Sequence, residues 1–208
     1  DKILTGRDLV DGEFSFELYE GTNKLQTVTN KSGKVTFDAI SYTEEGEHTY
    51  TVKEVKGDNA TIAYDTAEKQ VTVKVTRDGD ALKAEVVYPE NKTFTNAFTP
   101  KATTATIELS KELKGRDLVD GEFSFELYEG TNKLQTVTNK SGKVSFDAIS
   151  YTAEGEHTYT VKEVKGTTPG ITYDTAEKQV TVKVTKDGDN LKATVVYPES
   201  KVFANTYS

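Results

Sequence analysis

The chain has 208 residues, of which 35% are hydrophobic, and it contains no cysteine. This length suffices for one or two domains, and a domain of about 100 residues has only a small core to stabilise it. The lack of cysteine excludes disulfides, thiolate metal sites and cysteine nucleophiles. A net charge of -8 without a basic stripe argues against a nucleic-acid partner. No apolar run reaches the length of a membrane span, so no membrane partner is predicted.

The sequence consists of two copies of one repeat. Residues 6–57 recur as residues 115–166 with two differences, and the offset of 109 residues holds to the end of the chain. A short segment rich in Pro and Thr lies between the copies. We therefore predict a first domain at residues 1–99, a linker at residues 100–104 and a second domain at residues 105–208.

Each copy is a series of short segments in which apolar and polar residues alternate. Phe14, Phe16 and Leu18 share one face of such a segment, which is the two-residue period of a half-buried strand. Pairs such as Asp78-Gly79 separate the segments and indicate hairpin turns. No segment has a convincing helical period. The pattern predicts an all-β chain of two tandem immunoglobulin-like β-sandwich domains.

Three polar residues fall on the apolar faces of their strands. Lys111 is in phase with Leu109, and Asn205 is in phase with Phe203. Glu163 likewise follows two apolar residues of the same parity. Burying any of these side chains alone would be costly, so we expect the three to meet in the core. The first copy has the same residues at Lys2, Glu54 and Asn96.

Two interpretations fit such a buried set. Burial favours the neutral forms of an amine and a carboxyl group, and a neutral lysine is a nucleophile. It could attack the asparagine carbonyl, which a protonated glutamate would hydrogen-bond, and fixed proximity would replace an external catalyst. The alternative is a conventional Lys–Glu ion pair with a hydrogen-bonded Asn. Strand parity alone leaves both interpretations open.

The same residues carry a resemblance to a known family. Each copy reads Lys-x-Leu-x-Gly-x-x-Leu, GEFSFELYEG and Tyr-Thr-Val-Lys-Glu, and it closes on a Phe-x-Asn motif. This order of motifs resembles the streptococcal pilin isopeptide-linkage domain, which is related to the CnaB-type repeats of Gram-positive surface proteins. In that family a lysine on the first strand bonds to an asparagine on the last, helped by a glutamate. The resemblance implies isopeptide crosslinks between Lys2 and Asn96 and between Lys111 and Asn205, promoted by Glu54 and Glu163.

The resemblance also implies a function. We expect structural stalk repeats of a cell-wall-anchored, extracellular adhesin or pilus-like protein, with the anchor and any host-binding domain outside these residues. Pilin shafts use a separate lysine to join subunits, but Glu90 stands at that place in Tyr88-Pro89-Glu90-Asn91. This favours a monomeric stalk over a polymerising pilin. The alternative is that the repeats themselves bind a host protein or glycan, with several copies giving avidity.

No enzyme site, cofactor or metal site is predicted, and the partners of each repeat are the neighbouring repeats of the chain. His48 and His157 are the only histidines, and we expect them to be solvated strand residues. Asp78-Gly79-Asp80 lacks the further oxygen ligands that a calcium loop needs.

Only one residue precedes Lys2, so we expect a short first strand and a loosely held lysine in the first copy.

Overall fold

The computed structural model describes residues 1–208 and contains strands but no helix. The chain divides into two compact units, Asp1–Thr99 and Pro100–Ser208, which we call the first and the second repeat. The prediction of an all-β chain of two tandem domains is confirmed. No helix of the structure has the length and apolarity to cross a membrane.

The first repeat has eight strands in two sheets. The strands are β1 Lys2–Thr5, β2 Ser15–Glu20, β3 Asn23–Thr29, β4 Gly46–Glu54, β5 Ile62–Ala63, β6 Lys69–Asp78, β7 Ala81–Val87 and β8 Phe94–Phe98. Strands β3, β2, β4, β6 and β7 form a five-stranded sheet in this spatial order, and β1, β8 and β5 form a three-stranded sheet. The turn after β6 is a two-residue hairpin, which confirms the interpretation of Asp78-Gly79-Asp80 as a turn.

The second repeat has the same arrangement with three additional strands. The ranges are β9 Thr103–Ala105, β10 Glu108–Lys114, β11 Ser124–Glu129, β12 Asn132–Thr138, β13 Lys143–Ser145, β14 Ile149–Tyr151, β15 Gly155–Glu163, β16 Ile171–Thr172, β17 Glu177–Asp187, β18 Asn190–Val196 and β19 Val202–Tyr207. The order β12-β11-β15-β17-β18 forms one sheet, and β13-β10-β19-β16 forms the other. A separate pair, β14-β9, has no counterpart in the first repeat.

The two sheets of each repeat are the layers of a β-sandwich. In the second repeat the ring of Phe125 on β11 lies 5.2 Å from the ring of Phe203 on β19, so the inner faces meet in one core. The rings of Phe16 and Phe94 are also 5.2 Å apart in the first repeat. This inner face is the apolar face that the two-residue period predicts, because successive strand residues point to opposite sides.

The segment at residues 100–104, predicted as a linker, is partly built into the second repeat. Lys101 forms a bridge with Asn190, and Thr103 pairs with Tyr151. Ala105 is buried, with 6% of its surface exposed. Pairing along this segment satisfies backbone groups and covers apolar side chains, which a solvated linker would leave exposed to water.

Candidate crosslinking site

The lysine and the asparagine of the second repeat lie on neighbouring parallel strands. In the pairing of β10 with β19, Lys111 is opposite Phe203 and Leu113 is opposite Asn205. Lys111 and Asn205 are therefore diagonal neighbours on the core face, two positions apart in register. Gly115 follows β10 with φ +97°, and a Cβ there would lie 2.2 Å from the carbonyl oxygen of Tyr207. Only glycine allows the backbone after β10 to approach β19 so closely.

The glutamate reaches the same point from the facing sheet. Glu163 is the last residue of β15, opposite Phe125 on β11. Its Oε2 accepts a hydrogen bond from Lys111 Nζ at 2.8 Å, and its Oε1 accepts one from Asn205 Nδ2 at 2.5 Å. One carboxyl group thus bridges the amine and the side-chain amide.

The site is sealed from solvent. The side chains of Lys111 and Glu163 are 0% exposed, and Asn205 is fully buried. Lys111 Nζ lies 4.6 Å from the centre of the Phe123 ring. Burial lowers the pKa of Lys111 below its ordinary value, although the hydrogen bond and charge of Glu163 partly oppose this shift. The neutral amine form of Lys111 is therefore easier to reach by loss of a proton here than in water.

An aspartate that sequence reasoning missed fixes the orientation of the asparagine. The backbone N–H of Asp174 donates to Asn205 Oδ1 at 2.7 Å. The Asp174 carboxyl group is itself held by the backbone N–H groups of Ala176 and Ala204, each at 2.9 Å. The pair Tyr173-Asp174 recurs in the other copy as Tyr64-Asp65, but repetition alone gave no sign of this role.

The orientation of the amide differs from the expectation that the glutamate hydrogen-bonds the asparagine carbonyl. The carbonyl oxygen of Asn205 faces the Asp174 N–H, and its NH₂ group faces Glu163. The physical reason is that a backbone N–H can only donate, so the oxygen must take that side. The carboxyl group consequently lies beside the nitrogen that would leave in a substitution at this amide.

The first repeat builds the same site. Lys2 Nζ donates to Glu54 Oε2 at 2.8 Å, and Asn96 Nδ2 donates to Glu54 Oε1. The backbone N–H of Asp65 donates to Asn96 Oδ1 at 2.7 Å. Lys2 is only 2% exposed, and burial lowers its pKa as well. The expected loose hold on Lys2 is not observed, because the four residues of β1 pair along their whole length with β8.

The other polar candidates lie outside this site. His157 is partly exposed, with Nδ1 3.0 Å from Glu129 Oε1, and its ring stacks with that of Tyr159. His48 has the equivalent contacts in the first repeat. The structure contains no group of three or more His, Cys, Asp or Glu residues that could hold a metal ion. The buried Asn139 is structural, since its side chain bonds the backbone of Phe123 and Val119.

A comparison of the whole chain with known protein families gives a match. The family model described as FctA, Spy0128-like isopeptide containing domain, matches residues 1–99 and 107–208. The chain belongs to this family. The resemblance to the streptococcal pilin isopeptide-linkage domain is thereby confirmed, and the repeats are pilin-type structural domains rather than members of an enzyme family. No curated protein matches the chain in a sequence search.

Several solved structures are similar to the chain at low identity. The major pilin T-13 of Streptococcus pyogenes is 15% identical with a TM-score of 0.34, covering 100% of this chain and 95% of that one. Another Streptococcus pyogenes major pilin is 17% identical with a TM-score of 0.35, with coverage of 100% and 96%. The pilus adhesin SpaC of Lactobacillus rhamnosus GG is 14% identical with a TM-score of 0.29; the match covers 100% of this chain and 30% of SpaC.

Proposed function

We propose that each repeat crosslinks itself through an isopeptide bond, from Lys2 to Asn96 and from Lys111 to Asn205. The observation that carries this proposal is the single buried carboxyl group that touches both reacting nitrogens in each repeat. The alternative, a conventional Lys–Glu ion pair with a hydrogen-bonded Asn, would make the same two contacts. The feature that distinguishes them is the hydrogen bond from the backbone N–H of Asp174, or of Asp65 in the first repeat, to the asparagine carbonyl, which substitution at an amide needs and an ion pair does not.

The reaction begins with a proton transfer within the site. Moving one proton along the 2.8 Å hydrogen bond from Lys111 Nζ to Glu163 converts the ion pair to a neutral amine and a carboxylic acid. Burial of Lys111 favours this neutral form, because a charge loses its hydration in an apolar site. Lys111 then attacks the side-chain carbonyl carbon of Asn205.

The bond can form without any external reagent, because the residues of the site supply and accept every proton that moves. The developing charge on Asn205 Oδ1 is stabilised by the Asp174 N–H, as in an oxyanion hole. Glu163, protonated in the first step, delivers its proton to Asn205 Nδ2 and takes one from the attacking nitrogen, so that Nδ2 leaves as ammonia. The C–Nδ2 bond breaks, the new C–Nζ bond forms, and an amide joins the side chains. The protein reacts once with itself and is not an enzyme.

We infer a mechanical role from the position of the bond. It would join β10 near the start of the second repeat to β19 at its end, so tension on the chain would pass through the covalent link. Two such repeats in series fit structural stalk repeats of a Gram-positive cell-surface protein, outside the cell and anchored to its wall by a segment beyond these residues. Neighbouring repeats are the partners within the chain.

The alternative that the repeats bind a host protein or glycan would be favoured by an exposed aromatic or apolar patch. The outward-facing tyrosine on the second strand of each repeat, Tyr19 or Tyr128, is paired with its neighbours. Tyr128 donates to Glu126 at 2.6 Å, and Lys162 Nζ lies 5.2 Å from the centre of its ring. The equivalent Tyr19 and Glu17 form the same 2.6 Å hydrogen bond. These contacts favour the stalk on that face, whereas Val86 and Tyr88 of the first repeat are 45% and 57% exposed and keep adhesion as the second candidate function.

Glu163→Gln tests the proposed chemistry against a matched control, Glu54→Gln. Glutamine keeps the volume of the side chain but cannot accept the lysine proton, so each variant should lose the crosslink of its own repeat only. Tryptic mapping separates the two bonds, because residues 102–114 join residues 202–208 in one and residues 1–7 join residues 93–101 in the other. Detection of the Lys111–Asn205 linked peptide at the unmutated yield in Glu163→Gln would contradict the assigned role of Glu163.

A further inference from the structure

A short loop in each repeat carries the backbone donor that faces the asparagine carbonyl. In the second repeat this loop follows β16, the edge strand that pairs with β19 as far as Thr172. Two residues later the N–H of Asp174 donates to the side-chain oxygen Oδ1 of Asn205 at 2.7 Å. This donor lies beyond the end of the strand pairing, so regular strand geometry does not hold it in place and other contacts must do so.

The carboxyl group of Asp174 supplies these contacts. Its Oδ2 accepts the N–H of Ala204 at 2.9 Å, and its Oδ1 accepts the N–H of Ala176 at 2.9 Å. Ala204 is the residue directly before Asn205 on β19. The side chain of Asp174 therefore binds the same strand whose asparagine its backbone binds, and one residue fixes the distance between the loop and the reacting amide.

The residue before the aspartate anchors the loop from the core. The ring of Tyr173 meets the ring of Phe123 edge-on at 5.9 Å, and the Phe123 ring lies 4.6 Å from Lys111 Nζ. A Cβ at Gly166 would lie 2.4 Å from the Tyr173 hydroxyl, so glycine leaves the room that the tyrosine fills. Tyr173 and Asp174 thus reach the two reacting groups from one loop, Tyr173 through Phe123 and Asp174 directly.

The first repeat keeps the same contacts on a different loop sequence. The carboxyl group of Asp65 accepts the N–H groups of Ala67 and Thr95, each at 2.9 Å. The segments that lead into the two aspartates, residues 58–61 and residues 167–170, differ at every position. The geometry of the aspartate is therefore independent of the loop sequence that precedes it.

We propose that Asp174 and Asp65 are positioning residues for isopeptide formation, whose carboxyl groups clip the loop to the last strand and hold its N–H at the asparagine oxygen. This inference rests on the proposed crosslinking function and adds the group that fixes the oxyanion donor. A donor is effective only where negative charge develops, and a misplacement of about 1 Å can cost about a hundredfold in rate. The carboxyl group acts through the backbone of its own residue.

The charge of this carboxyl group opposes the reaction that its position supports. Burial lowers the pKa of Lys111, and the negative charge of Asp174 is among the effects that oppose this shift and disfavour the neutral amine. If Asp174 acted only by its charge, its removal would speed bond formation. The positioning role predicts the opposite sign, because removal of the clip releases the N–H.

Asp174→Ala and Asp174→Asn test this sign, with the first repeat as an internal clock. The full chain is made by cell-free translation and stopped in denaturant at intervals, and the two crosslinked peptides are quantified after trypsin digestion. Both variants should form the bond of the second repeat at least tenfold more slowly, while the bond of the first repeat forms at its unmutated rate. Asp65→Ala should reverse the pattern. Asparagine keeps the side-chain volume, but its NH₂ group cannot accept an N–H, so Asp174→Asn carries the test where Asp174→Ala does not fold.

Gln135→Ala is the matched control for a merely structural role. The Gln135 side chain also joins a strand to a loop by two backbone hydrogen bonds, at 2.8 and 3.0 Å to Asp147, and it is half-buried like Asp174. In the background Lys111→Met, which cannot crosslink, both Gln135→Ala and Asp174→Ala should lower the urea midpoint of unfolding. In the chain that retains Lys111, only the aspartate variant should slow bond formation.

The outcomes separate the positioning role from the crosslinking function. An unchanged or faster rate in Asp174→Asn would overturn the positioning role, as would equal slowing in Gln135→Ala, and either result would leave the crosslinks of the unmutated chain in place. Absence of both linked peptides from the unmutated chain would contradict the proposed function and this inference with it.

Discussion

Pulling the single chain from its two ends should produce no long unfolding step, whereas Lys111→Ala should produce one. β10 and β19 are parallel neighbours, so terminal force loads them in shear, and the bond from Lys111 to Asn205 would carry that load. The residues between them then remain shielded. Without the bond, roughly 90 residues would be released, which adds on the order of 300 Å of extension. Force spectroscopy measures this step directly.

Lys178→Ala is the matched control for the pulling experiment. Lys178 is also a buried lysine of the second repeat, at 8% exposure, but it contacts the Phe203 ring rather than Glu163. The variant Lys178→Ala should show no long unfolding step. The double variant Lys2→Ala with Lys111→Ala should show two long steps, one for each repeat. A long step in the unmutated chain would mean that no covalent link lies in the path of the force.

Loss of the bond should also lower the free energy of unfolding of the second repeat by about 4 to 5 kcal/mol. The reason is that a crosslink closing a loop of about 100 residues restricts the unfolded chain, by analogy with disulfides. For a domain of this size the change corresponds to a fall in melting temperature of about 20 °C or more. Thermal unfolding of Asn205→Ala, followed by calorimetry, measures the effect.

A double-variant cycle separates the bond from ordinary contacts. Lys111→Met, Asn205→Ala and their combination each remove the same bond, so the combined loss should be no larger than the loss in either single variant. Independent contacts would instead give losses that add, each of about 1 to 3 kcal/mol for a buried polar group left without its partner. Additive losses in this cycle would contradict a covalent link between the two residues.

The sequence alone predicted that the three side chains meet in the core, but it did not predict how the Asn205 amide is oriented. Strand parity places Lys111, Glu163 and Asn205 on the core face because the period of a strand is two, and the structure buries all three side chains. Parity carries no information on the rotation of an amide. The contact of Asn205 with the N–H of Asp174 arises from a loop whose position depends on the whole fold, and it could not be read from local sequence.

The alternating residues of β7 illustrate a second limit. In the first repeat the alternation of Leu82 and Val86 predicts an inward-facing apolar set. In the second repeat the equivalent of Leu82, Leu191, is buried accordingly. In the first repeat Leu82 and Val86 are 38% and 45% exposed, whereas in the second repeat β9 packs against β18 and helps to cover Leu191. The two-residue period predicts which face of a strand points to the core, but the burial of that face depends on the segments that pack over it.

The intact mass of the folded protein tests the account most directly. Each isopeptide bond releases one ammonia, about 17 Da, so the two bonds should make the chain about 34 Da lighter than its sequence requires. The deficit should persist after denaturation, because the link is covalent, and it should vanish in the double variant Lys2→Ala with Lys111→Ala. A mass equal to that of the unmodified sequence, measured on folded protein, would contradict the crosslink in both repeats.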